Sequence, residues 1–278
     1  AIWLGAVVAH GAVAIRVNGN RALSDAELGP ILEDVRKDIA DFGLNAASAE
    51  DAAFFAGLHY RKRGYAFAEV TGRIAGGNLI LEVDEGPRVE LGAVRVSGLH
   101  ELDPETVKDY VIGPTRERFS VFVAQGKLPF VQVEVDNGLA NLRGYLENEG
   151  YLDAVVHPAE VVFSADRKSA DITVRVDAGK RYRFGKLEFE GDLVFYPNDE
   201  LLATLAPLST GPYTRNTLIA LERAVGHFYQ SRGYFETKVE TFADPSAAGP
   251  DGAVAVRTRR RRGRCTGSAM RSSRAWSG

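Results

Sequence analysis

Apolar and polar residues alternate along several short stretches of the chain. Val13, Ile15 and Val17 share one side of the first, and Leu187 and Phe189 alternate with Lys186, Glu188 and Glu190 in another. A period of two with one polar side predicts strands of a sheet that is wet on one face. Helical runs follow. Ser24-Asp25-Ala26-Glu27 is a capping box, in which the Ser and Glu side chains each satisfy the other's backbone N–H. Asp103-Pro104 places proline at a first helical position, where its missing donor costs nothing. Second helices are expected to start at Ser48, near Phe130 and at Thr214. Their apolar residues recur at helical spacing: Ala53, Leu58 and Tyr60; Leu139, Leu142 and Leu146; Leu218, Leu221, Val225 and Phe228. Strand pairs are then expected over 65–74 with 78–85, over 151–163 with 169–177, and over a strand at Phe235 with a partner at Val254-Ala255-Val256.

These patterns repeat. Each second helix ends in Gly-Tyr: Gly64-Tyr65, Gly150-Tyr151 and Gly233-Tyr234. Glycine there supplies the positive φ that stops a helix. Upstream, Val17-Asn18-Gly19, Val96-Ser97-Gly98 and Phe189-Glu190-Gly191 close three strands, and Glu85-Gly86-Pro87-Arg88 matches Ala178-Gly179-Lys180-Arg181. Three anchors in one order predict an α+β chain of three tandem β-α-α-β-β domains, at 13–87, 88–179 and 180–258. Each is a three-stranded mixed sheet with two helices on one face. Pro87 restrains the first joint, whereas Gly179-Lys180 leaves more freedom at the second.

Composition sharpens this. Hydrophobic residues make up 45% and charged residues 26% of 278 residues, as in ordinary globular protein. No apolar run nears the ~20 residues of a spanning helix, and one cysteine excludes a disulfide scaffold. The net charge of −3 is uneven. Residues 257–278 hold eight arginines and no acid, which leaves −11 on residues 1–256. The last strand is therefore expected to stay incomplete at Thr258, with 259–278 a basic tail that is disordered or a translation artefact. Residues 1–12 fit either the remnant of a secretory signal peptide or an ordinary apolar segment.

The β-α-α-β-β order, Gly-Tyr after the second helix and the Glu-Gly-Pro-Arg linker together resemble the POTRA domain. The resemblance runs from about Val13 to Arg257. It is of the kind found in tandem in outer-membrane assembly factors of the BamA/TamA type. It implies a non-catalytic periplasmic scaffold at the outer membrane of a Gram-negative-type bacterium. Its partners would be unfolded outer-membrane proteins or extended peptides, together with assembly lipoproteins. The transmembrane β-barrel of that family is not expected within the 20 residues after Thr258.

A scaffold of this kind binds by strand addition, because the edge of a sheet offers unpaired N–H and C=O groups. In the family the strand after the second helix is the edge concerned. The matching segments are Ala66–Ile74, Leu152–Phe163 and Phe235–Phe242. Pro158 interrupts the second. The third is the preferred client edge: Phe235, Glu236, Thr237, Lys238, Val239, Glu240, Thr241 and Phe242, to be blocked by proline at Thr237 or Val239. Gly86, Pro87, Arg88, Gly179, Lys180 and Arg181 are the inter-domain linkers. No catalytic residue, metal site or cofactor is expected: His10, His59, His100, His157 and His227 are scattered, and no nucleotide or hydrolase motif occurs. Tyr65, Tyr151 and Tyr234 are expected to pack at the helix–strand junction. The alternative reading is a nucleic-acid-binding α/β protein that uses the basic tail.

Overall fold

A computed structural model describes residues 13–98, 102–120, 127–191 and 198–262. The expected signal remnant (1–12) and the end of the basic tail (263–278) lie outside the described residues. The chain divides into two compact units, Ala1–Leu142 with His157–Arg175, and Arg143–Val156 with Val176–Gly278. The division runs through one helix and one strand of the second repeat.

In the first unit, β1 (Ile15–Asn18) lies parallel to β3 (Asn78–Asp84), which pairs antiparallel with β2 (Glu69–Ala75). The order is β1-β3-β2, so the last strand is central and both others are edges. Between β1 and β2 the chain forms α1 (Asp25–Leu28), a short 3-10 turn at Pro30–Leu32, α2 (Glu33–Phe42) and α3 (Ala46–Arg61). The Ser24–Glu27 capping box opens α1 as expected. The start of α3 lies earlier than Ser48. Asn45 is the cap and Ser48 closes the box three residues on, so Ser48 marks the capping partner rather than the helix start. Leu32, Val35, Ile39, Leu79 and Leu81 pack with Ala49, Ala52 and Ala56 of α3 into one core. The small residues of α3 bring its backbone close to β2. An added Cβ at Gly72 would stand 2.2 Å from the Ala49 carbonyl oxygen.

The second repeat adds β4 (Glu90–Ser97), α4 (Pro104–Arg118), α5 (Gln132–Asn148), β5 (Val155–Val156), β6 (Glu160–Phe163) and β7 (Ser169–Asp177). Asp103 caps α4 through the Thr106 N–H, with Pro104 at the first position. β4 is parallel to β7. The strand expected over 151–163 is split at Pro158 into β5 and β6, both antiparallel to β7, with the register advancing by one residue between them. Val107, Val111, Leu142, Leu146, Ile172 and Val174 are fully buried.

In the second unit, β8 (Arg183–Gly191) is followed by α6 (Asn198–Ser209), α7 (Arg215–Gln230), β9 (Thr237–Ala243) and β10 (Ala253–Arg262), in sheet order β8-β10-β9. Thr214 caps α7 as expected. Leu201, Leu205, Leu221, Val225, Phe228, Val254 and Val256 form its core.

Two boundaries are corrected. The strand after each Gly-Tyr starts later than expected, because the tyrosine carbonyl accepts from the N–H three residues on: Ala68 to Tyr65, Ala154 to Tyr151, Thr237 to Tyr234. That turn takes Phe235 and Glu236 out of the expected edge strand. The last strand also does not stop at Thr258. β10 continues to Arg262, paired with Thr237 across the ladder. The physical reason is alternation. Arg257 and Arg259 face glutamates, 3.0 Å from Glu190 for the first and 3.1 Å for the second. Thr258 and Arg260 turn inward and are buried. Residues 259–262 therefore belong to the third sheet rather than to a tail.

Candidate functional site: the free sheet edges

The three Gly-Tyr turns give a common frame. Gly72, Pro158 and Thr241 each stand eight residues past the turn glycine. The His157 N–H donates to the Arg175 carbonyl on β7. Backbone groups alternate along a strand, so the next position turns its N–H to the open edge. The Thr241 N–H obeys the same rule: it leaves β10 aside and donates to Glu222. The three edges differ at this point. Gly72 keeps its donor, proline at 158 has none, and Thr241 has its donor occupied.

The β2 edge borders a groove. Glu50, Ala53, Phe54, Gly57 and Arg61 of α3 form one wall; Ala68, Glu69, Val70, Thr71 and Gly72 form the other, around about 600 Å³. Phe54 is well exposed on its wall and meets the exposed Phe55 ring edge-on at 5.6 Å; Ile74, further along β2, is also exposed. The groove exists because Ala53 and Gly57 on its α3 wall have almost no side chain. Small residues on the α3 face were the signal in the sequence, read there only as a helical face.

At the β9 edge, Glu222 of α7 accepts from the Thr241 N–H at 2.9 Å and from its hydroxyl at 2.6 Å. Glu222 was not among the expected site residues. The expected residues Thr237, Lys238, Val239, Glu240, Thr241 and Phe242 do lie on this edge strand. Phe235 is 79% exposed but sits in the preceding turn.

The linkers form two joints of one design. In the first, the Val89 N–H donates to the Gly64 carbonyl and the Phe130 N–H to the Val89 carbonyl. In the second, Tyr182 bridges Gly150 and Tyr213 in the same way. Gly86 and Gly179 both have positive φ, at 61° and 69°. Phe163 packs edge-on against Phe67 and Phe130 at the first joint, and Arg167 lies over Phe67. At the second, Arg181 donates to the Glu149 carboxylate at 2.8 Å, and the Tyr182 hydroxyl donates to Asp153, which raises the tyrosine pKa above its ordinary value. Lys180 rests on the Tyr182 ring. Tyr65 and Tyr234 pack edge-on against Tyr60 and Tyr229, the helix–strand junction expected for them.

Among the described residues, no group of three His, Cys, Asp or Glu is placed to hold a metal ion, and no helix is long and apolar enough to cross a membrane.

The repeat, the sheet order and the joints define a tandem α+β array. The family model for POTRA, surface antigen variable number repeat, matches residues 89–179 and 182–257, and the chain belongs to that family. Among curated proteins it is 29% identical over 199 residues to outer membrane protein assembly factor BamA of Nitratidesulfovibrio vulgaris, covering 68% of this chain and 24% of that protein. It is 21% identical over 228 residues to BamA of Buchnera aphidicola, covering 80% and 36%. The chain thus spans between a quarter and about a third of those relatives. Among solved structures, POTRA3-5 of Haemophilus influenzae BamA matches 89% of this chain and 94% of its own, at 20% identity and a TM-score of 0.41.

Proposed function

We propose that this chain is a non-catalytic scaffold of outer-membrane protein assembly on the periplasmic side of the outer membrane. Its three domains, 13–87, 88–179 and 180–262, hold extended segments of unfolded β-barrel clients by strand addition and offer surfaces to assembly lipoproteins. BamA relatives support the assembly role, and membership of the POTRA family supports the scaffold.

The observation that carries the strand-addition reading is the β2 edge. It combines the Gly72 donor position, a groove of about 600 Å³ and exposed apolar side chains. Backbone bonds supply sequence-tolerant affinity, and the groove takes alternate side chains of the added strand. This shifts the favoured client edge from Phe235–Phe242 to Glu69–Ala75. A nucleic-acid reading gains nothing from Arg257 and Arg259, which are tied to Glu188 and Glu190.

The test is a photo-crosslinker at Thr71, challenged with a urea-unfolded outer-membrane β-barrel protein. Ile74→Pro removes an outward-facing donor two residues beyond Gly72 while leaving the β2–β3 ladder in place. Losing one edge bond and the pairing beyond it is worth about 1–2 kcal/mol, or roughly tenfold in capture. Undiminished capture by a folded Ile74→Pro chain refutes pairing at this edge.

A further inference from the structure

Counted from the turn glycines, Glu222 on α7 occupies the position of Ala53 on α3 and Leu139 on α5. Two copies place an apolar residue there and the third a carboxylate. That carboxylate binds both the Thr241 N–H and the Thr241 hydroxyl, at 2.9 and 2.6 Å. It fills the place at which an incoming strand would present a carbonyl oxygen. β9 is a seven-residue edge without proline; the exposed Phe242 lies within it, and the exposed Phe235 precedes it.

We infer that Glu222 is a latch that closes the β9 edge to strand addition, and that an extended polypeptide pairs with β9 only by displacing this carboxylate from Thr241. The role rests on the strand-addition reading given above. A bond from an N–H to a charged acceptor is stronger than one to a neutral carbonyl. An incoming strand must therefore give up the better bond for the poorer one, a handicap of about tenfold in binding. The latch directs extended clients to the first sheet and leaves the third as a second capture surface in reserve.

The experiment uses the full chain with a crosslinker at Thr71 on β2 or at Lys238 on β9. The probe is a peptide of alternating valine and threonine with lysine ends. Wild-type chain is expected to capture the peptide at Thr71 and not at Lys238. Glu222→Ala should raise capture at Lys238 about tenfold; Glu222→Gln, which retains a neutral acceptor, should raise it less. Hydrogen exchange of the Thr241 amide should quicken in the same order. If Glu222→Ala does not fold, Glu222→Gln carries the test through the same two readouts. Capture at Thr71 with no gain at Lys238 and no change in Thr241 exchange overturns the latch and leaves the β2 reading standing. Capture at Lys238 in Glu222→Ala with none at Thr71 supports the latch and removes the β2 reading. Capture at neither position overturns both.

Discussion

Arg260 is the most exacting residue of the third domain. It is 4% exposed, with its guanidinium carbon 4.5 Å from the Tyr229 ring centre and 4.7 Å from that of Tyr234. The same ladder position holds Val83 in the first repeat and Val176 in the second: each pairs with the residue six past its turn glycine, as Arg260 pairs with Val239. Arg260→Val is therefore a repair toward the other two copies. Burying the cation costs several kcal/mol, which two desolvated aromatic faces at about 2 kcal/mol each and the residue's further contacts offset. Valine gains about 2 kcal/mol of apolar burial, less about 1 kcal/mol for the smaller volume it fills. The variant should therefore stay within about 1 kcal/mol of the parent, a shift of no more than about 8 °C in Tm for a domain of this size. The domains need not unfold together, so the assay is hydrogen exchange of β10 amides alongside a thermal scan. A loss of more than about 1 kcal/mol in the variant refutes the reasoning, and shows the contacts of the cation outweighing its desolvation.

Three further outcomes follow from local geometry. Burial, with Arg63 adding to it, lowers the His59 pKa below its ordinary 6.5. The unfolded chain therefore binds the proton first, and the first domain should lose stability as pH falls below about 6.5; urea midpoints against pH should show this slope, flattened in His59→Gln. Gly72→Ala forces a Cβ to 2.2 Å from the Ala49 carbonyl, which should cost about 1–3 kcal/mol by urea unfolding followed by circular dichroism. Gly64→Ala sets a side chain at φ 94° and 2.7 Å from Pro129. It should loosen the first joint, read as a broader distribution of inter-domain distances by spin-label spectroscopy, with each domain's circular dichroism retained.

The repeat was legible because its anchors are obligatory. Gly64, Gly150 and Gly233 all take positive φ, between 88° and 94°. The break at Pro158 was legible too, since proline inside a strand pattern marks an edge or a bulge, and the register shifts there. The turn after Gly-Tyr was not, because a backbone bond from Thr237 to Tyr234 leaves no mark on alternation. The Arg257–Arg262 run misled because composition outweighed register. Its alternate residues meet Glu190 or turn into the core, which only the partner strand reveals. Gly263, outside the described residues, stands in sequence two past Arg261, as Gly86 stands two past Asp84 and Gly179 two past Asp177. The groove along β2 and the carboxylate at Thr241 depend on which helix face meets which strand. A helical wheel shows Ala53 and Glu222 on comparable faces but not what each touches.

The joints carry one more consequence. Each is closed by main-chain atoms, a glycine carbonyl below and one bridging residue's N–H and C=O above, so Val89 and Tyr182 serve equally well. The side chains around the two joints differ, but these main-chain bonds are common to both and do not depend on which modules they connect. Unequal recombination between Gly64 and Gly150 would remove a whole module and rejoin the remainder with the same two bonds. Array length can therefore drift by whole modules while the main-chain bonds of every junction are kept, a form of inheritance open to proteins whose connectors share a backbone pattern.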